Sequence, residues 1–283
     1  MNHMVNIKGE LCFVQFIHPG GEHKSKKKGI ISWNKSSHKR KFIVEKGTYI
    51  SSTTGNKVES NLGFWSEWEP ESEVDPIGNP LFNGPFCTHR PFYRLPNSYI
   101  GLQNTDPFVF GEQPHYTVCQ HYRGDHPTQL RYLRRGSVIL FGSYLKKEFV
   151  LDTVFVVDHW IDYDKVNFMK QLKGKVSGTY MNVTILPLSK KDNLRLYFGA
   201  TFDNKVNEMF SFFPTQPIDK YPNGFARPKI GIPDIITDDL MRGFKLNRQD
   251  DIDNMYNLWS QVVGKILKSG LHLGIKTELP LRL

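Results

Sequence analysis

Hydrophobic and polar positions follow no single period along this chain. Residues 11–17 (LCFVQFI) form an apolar, aromatic and β-branched run ended by Pro-Gly-Gly, which predicts a strand. Residues 41–44 and 63–69 predict two more strands, with a polar Ser/Thr/Gly/Asn turn at 51–57 between them. The clearest strands are 137–141 (SVILF) and 149–157 (FVLDTVFVV), joined by a hairpin-like turn over 142–148. Residues 182–188, 194–198 and 271–276 predict further strands.

Helical spacing is found in two places. Over 251–269, Ile252, Met255, Tyr256, Trp259, Val262, Val263, Ile266 and Leu267 recur every three or four residues, and Gly270 follows as a terminator. Over 162–174, Asp162 is placed to cap a short helix with Val166, Met169 and Leu172 on one face and Gly174 at its end. Residues 70–98 are rich in Pro, Gly and Asn, lack a period and predict a long irregular loop. Strands outnumber helices and do not alternate with them, which points to an α+β fold: a mixed, strand-dominated, curved or barrel-like sheet with a few flanking helices. No repeat or low-complexity linker divides the chain, so residues 1–283 are expected to form one integrated domain.

Composition narrows the class. At 283 residues, 39% of them hydrophobic, the chain can bury a large core, which excludes global disorder. No apolar run reaches the roughly 18 residues of a membrane span, and no signal peptide is visible, so no membrane partner is expected. Three cysteines, Cys12, Cys87 and Cys119, make no disulfide framework and suit a reducing cytoplasm. The 37 Lys and Arg against 28 Asp and Glu give a net charge of +9, which favours a polyanionic partner, DNA above all. The imbalance is local: residues 1–46 hold ten Lys and Arg against three Glu, whereas 64–75 hold five acids and no base.

Four segments carry candidate chemistry. Around the Gly-Gly turn, Gln15, His18, Glu22 and His23 bring two imidazoles and a carboxylate together, the parts of an acid–base pair. Lys24, Lys26, Lys27 and Lys28, with His38, Lys39, Arg40 and Lys41 beside Trp33, are placed to bind phosphates. On a strand, Trp65, Glu67 and Glu69 share one face, with Trp68 on the other; this is either an aromatic wall for a base or a Trp-rich core with exposed acids. Gln103, Asn104 and Asp106 with Phe108 and Phe110 combine amides able to read a base edge, a carboxylate and aromatics. Cys87 and His89, like Cys119 and His121, are two residues apart and share a strand face, but neither pair has zinc-ribbon spacing; no metal and no cofactor is expected. Walker, Rossmann and nucleophile-elbow motifs are absent.

Residues 133–143 and the strand that follows (133–157 in all) resemble the central strands of PUA-like domains, a superfamily that includes readers of flipped or modified bases; the resemblance implies a PUA-like barrel. HPGGEH, FWSEWEPES, QNTDPFVFG and GSVILFGS, in that order, resemble a little-characterised bacterial family grouped with anti-phage DNA glycosylases acting on glucosylated hydroxymethylcytosine. Residues 103–108 are also similar to the water-activating G-Q-D-P-Y-H motif of uracil-DNA glycosylases, with Asp106 on its Asp and Phe108 on its aromatic. An extra Thr precedes Asp106, no His follows Phe108, and the strand-rich pattern departs from that family's α/β fold. The combined expectation is a DNA N-glycosylase that excises a modified base, with Asp106, Glu22 and His18 catalytic. The alternatives are a non-catalytic modified-base reader and a metal-dependent nuclease.

Overall fold

A computed structural model describes residues 9–18, 20–188, 193–240 and 243–283. In chain order its strands are β1 (Cys12–Ile17), β2 (Gly29–Ile31), β3 (Arg40–Ile50), β4 (Lys57–Glu67), β5 (Ser72–Pro76) and β6 (Cys87–Tyr93). They continue with β7 (His115–Tyr116), β8 (Tyr122–Arg123), β9 (His126–Pro127), β10 (Val138–Leu145), β11 (Glu148–Tyr163) and β12 (Leu194–Gly199). The last four are β13 (Phe213–Pro217), β14 (Gly243–Arg248), β15 (His272–Thr277) and β16 (Leu281–Arg282). The helices are α1 (Phe168–Leu172), α2 (Gly178–Tyr180) and α3 (Ile252–Lys268). Among the described residues no helix is long and apolar enough to cross a membrane.

Two mixed sheets dominate. One runs β14-β1-β10-β11-β12-β7, with β1 parallel to β10. The other runs β15-β13-β4-β3-β6-β5-β2. Because β15 also pairs with β3, strands β3, β4, β13 and β15 close into a ring. Closure brings backbones close together: a side chain at Gly47 would meet the Lys276 carbonyl at 2.4 Å. The six positions of β1 are all buried, because Phe13 faces the core shared with α3 while Cys12, Val14 and Phe16 face a second core with Tyr116 and Tyr197. A strand covered on both sides reads as a continuous apolar run, not an alternating one. Helix α3 lays Met255, Trp259, Val262 and Ile266 on the first core, and the Asp251 side chain accepts from Asn254 N at 2.8 Å as its cap.

The predicted strands at 11–17, 137–141, 149–157, 194–198 and 271–276, the hairpin through 51–57 and the helix over 251–269 are all present, several extended by neighbouring residues. Three segments differ. The loop expected over 70–98 contains β5 and β6; β6 takes its place by pairing with β5 and, in parallel, with β3, partners that local periodicity does not reveal. Residues 182–188 are helical, not extended: Ser177 caps Tyr180 N at 3.0 Å, and Tyr180, Val183 and Thr184 are buried together at helical spacing. Over 162–174 only α1 is helical. There β11 continues to Tyr163, Asp162 pairs with Arg195, and Asp164 accepts from Val166 N and Asn167 N, leaving Val166 and Met169 exposed.

Candidate active site: a buried charge cluster

At the Arg40 end of β3, where the two sheets meet, the fold gathers charge in its interior. Arg40 and Glu67 are register partners on the β3–β4 hairpin, and both are buried. Glu67 is the hub. Its Oε2 lies 3.1 Å from His18 Nδ1 and accepts from Arg40 Nη1 at 2.9 Å, while its Oε1 lies 2.6 Å from His38 Nδ1. Glu69, two residues on and on the same face, sits 3.2 Å from His38 Nδ1 and accepts from the Asn34 side-chain amide. Arg40 Nε pairs with Asp152 Oδ2 at 2.8 Å; Asp152 also pairs with Arg227, whose Nη2 reaches Glu22 at 3.0 Å.

Asp106 joins from the opposite side. Its Oδ1 accepts from Thr117 N at 2.9 Å, and its Oδ2 accepts from Val118 N at 2.8 Å and Cys119 N at 2.9 Å. The Cys119 thiol lies 3.3 Å from His18 Nε2, which links Asp106 to the Glu67 hub. Thr105 Oγ1, next to Asp106, accepts from Glu69 N at 3.0 Å. His18, Glu67, Glu69 and Asp106 therefore converge, and the line of contacts from His38 through Glu67 and His18 to Cys119 and Asp106 is continuous.

The electrostatics follow from burial and pairing. Desolvation works against the His38 imidazolium, but the Glu67 and Glu69 carboxylates outweigh it and raise its pKa to about 10. Desolvation would raise Glu67; His18, His38 and Arg40 overcome it and hold the carboxyl well below its usual range. For Asp106 the balance is reversed. Desolvation outweighs its three backbone N–H donors and, with repulsion from Glu67, raises it to about 6. Burial also pushes the Cys119 thiol well up.

Other expected site residues lie elsewhere. Arg40 and Lys41 are not on a phosphate-binding surface: Arg40 is 2% exposed within the cluster, and Lys41, at 3%, donates to the Trp68 carbonyl. The cause is β4, which lies against the start of β3 and brings acids and carbonyls to both cations. Lys26, Lys27 and Lys28 are exposed, Lys28 paired with Asp75 at 2.9 Å; Lys24 sits over the Phe86 ring, and Lys39 is half-buried. Trp33, Trp65, Trp68, Phe108 and Phe110 are core residues, with the indoles donating to the carbonyls of Gln103, Phe225 and Glu71 respectively. In this conformation their faces are covered by other side chains and not open to a base. Gln15 is buried and tied through both side-chain atoms to Thr237. Gln103 and Asn104 are half-buried at the surface, and Glu22 is held by Arg227 and not by His18. Asp152 and Arg227 carry no local signal in the sequence, being an isolated Asp in an apolar strand and an isolated Arg in a loop.

Gly20 closes the outside of the cluster. Its φ is +113°, and a Cβ there would fall 2.0 Å from the His38 carbonyl, so only glycine lets the two segments touch. Two clefts of about 400 Å³ lie elsewhere, around Lys46 and Glu278, and share no lining residue with the cluster. Compared with protein-family models, curated proteins and solved structures, the chain matches none of them.

Proposed function

We propose that this chain is a DNA-directed hydrolase that cleaves an N-glycosidic bond, using the Glu67-centred cluster. The observation that supports this reading is the cluster itself, continuous from half-buried His38 to buried Asp106 and adjoining a loop bearing exposed Lys26 and Lys27. Buried ion pairs lose several kcal/mol per ion to desolvation (about 3–5 when a partner is missing), and well-packed apolar residues would stabilise a core as well or better. We read a core that keeps four carboxylates, two arginines and two histidines in contact as a site and not as a stability element. Glycosidic cleavage builds positive charge on the sugar, which the Glu67 anion would offset; the His38 imidazolium would donate to the departing base. Asp106, with a pKa near 6, can accept a proton from water close to neutrality. Substrate entry requires the turn over residues 34–38 to move, since Asn34 and His38 cover Glu69 and Glu67.

The modified-base substrate class and a role in phage defence rest on the resemblance of the HPGGEH and QNTDPFVFG segments. The second reading, a modified-base reader without chemistry, rests on the PUA-like resemblance of residues 133–157. The β10–β11 hairpin, to which the PUA-like resemblance attaches, lies in the six-stranded sheet, while the closed ring is built from other strands. The deciding assay measures release of free base and formation of alkali-labile abasic sites on plain, hydroxymethylated and glucosylated DNA. Base release that Asp106→Asn and Glu67→Gln both abolish supports the hydrolase. Selective binding of one DNA with no release from any of them replaces it with the reader.

A further inference from the structure

A second titratable group, separate from the Glu67 cluster, lies where the chain leaves β1 and passes beside β3. His23 N donates to the Arg40 carbonyl at 2.7 Å, which fixes residue 23 against the start of β3. Strand β6, parallel to β3, places Cys87 and His89 on one face, two residues apart. Three potential ligand atoms result: His23 Nδ1, His89 Nε2 and Cys87 Sγ. The two nitrogens are 3.0 Å apart, and the sulfur lies 3.6 Å from His89 Nε2 and 3.8 Å from His23 Nδ1. Around a tetrahedral zinc ion, with Zn–N near 2.05 Å and Zn–S near 2.3 Å, the corresponding edges are about 3.3 Å for N–N and about 3.6 Å for N–S. The observed triangle departs from those edges by a few tenths of an ångström.

A second observation is independent of the triangle. His89 Nδ1 lies 3.1 Å from Ser72 Oγ, and this contact turns the buried ring so that Nε2 faces the other two ligands. With His89 donating Nδ1–H to Ser72 Oγ, its Nε2 is free for a metal, the arrangement that an outer partner gives a metal-bound histidine. The other trio of possible ligands, His38, Glu67 and Glu69, is unsuited to a cation, because Arg40 and the His38 imidazolium already satisfy its carboxylates.

We propose that His23, Cys87 and His89 form a binding site for a zinc-class divalent cation. Among the described residues no fourth His, Cys, Asp or Glu joins the trio, so water completes the coordination on the side of half-buried His23. Coordination forms an S–metal bond to Cys87 and releases the thiol proton to solvent. The site does not depend on the glycosylase reading.

The test uses the full chain without a polyhistidine tag, stripped with a chelator and titrated with Co²⁺ and then Zn²⁺. One Co²⁺ per chain is expected, with a thiolate-to-cobalt charge-transfer band and the intense visible bands of a tetrahedral site, both lost when Zn²⁺ displaces it. Cys87→Ser should abolish the charge-transfer band. His23→Gln, at a half-buried position, should weaken binding at least tenfold, and Ser72→Ala should weaken it about 10- to 100-fold. A folded wild-type chain that binds no stoichiometric Co²⁺, or a charge-transfer band that survives in either Cys87→Ser or His23→Gln at unchanged affinity, overturns the site. If Cys87→Ser does not fold, His23→Gln decides alone.

Discussion

Glu67→Gln tests the charge cluster most directly. The substitution keeps the size of the side chain but removes the anion that His18, His38 and Arg40 share. Arg40 would retain Asp152, whereas His38 would retain only the longer contact to Glu69. Breaking a buried pair by removing one partner costs about 3–5 kcal/mol. For a chain of this size each kcal/mol lowers Tm by roughly 2–4 °C, so a fall of about 10 °C is expected. The His38 pKa, about 10 in the native protein, should fall by more than one unit. The pH dependence has a defined sign. Native His38 binds its proton more tightly than the unfolded chain does, so its contribution is complete below about pH 6.5 and is lost as pH rises through about 10. The stability difference between wild type and variant should therefore narrow in that window. Histidine side-chain NMR follows the titration, and urea denaturation follows the stability. A variant that melts within 2 °C of wild type with an unchanged His38 titration would refute the hub role.

Asp106→Asn replaces one accepting oxygen by an amide among the Thr117, Val118 and Cys119 N–H donors and should cost about 1–3 kcal/mol at neutral pH. Because native Asp106 has a raised pKa near 6, wild type alone gains stability as pH falls from about 6 to 4; the deficit of the variant should widen there by up to about 3 kcal/mol, and a constant deficit would contradict this. Trp259→Ala, which removes a 6%-exposed ring packed on Phe210 and Phe212, should cost roughly 3–5 kcal/mol by chemical denaturation; a loss below 1 kcal/mol would place that ring outside the core. Replacing exposed Lys26 and Lys27 by Ala should lower the salt-dependence slope of DNA binding by about 0.9 per lost phosphate contact; an unchanged slope would remove that loop from the interface.

By itself the sequence determined the elements whose signals are local. Strand β1, the β10–β11 hairpin and helix α3 were legible because apolar run length, turn chemistry and three- and four-residue spacing are properties of neighbouring residues. The residues of the candidate site were legible as types: His18, Glu22, Glu67, Glu69 and Asp106 stand out as titratable groups close to glycines and aromatics. Their partners were decided by tertiary structure. Arg40 reads as one more cation of a basic run until β4 brings Glu67 opposite it and β11 brings Asp152, after which it belongs to the interior. Strand β6 (CTHRPFY) carries no clear apolar alternation in its sequence and is placed by pairing with β3 and β5, and the same pairing carries Cys87 and His89 to His23, 64 residues away from that cysteine in the chain. Residues 182–188 have the β-branched content of a strand but lie in a helical turn, since burial of Val183 and Ile185 outweighs a propensity difference of less than about 1 kcal/mol per residue. Charge, spacing and hydrophobicity are written along the chain; burial, which sets the pKa of Asp106 and the worth of every ion pair around Glu67, exists only once distant strands have packed.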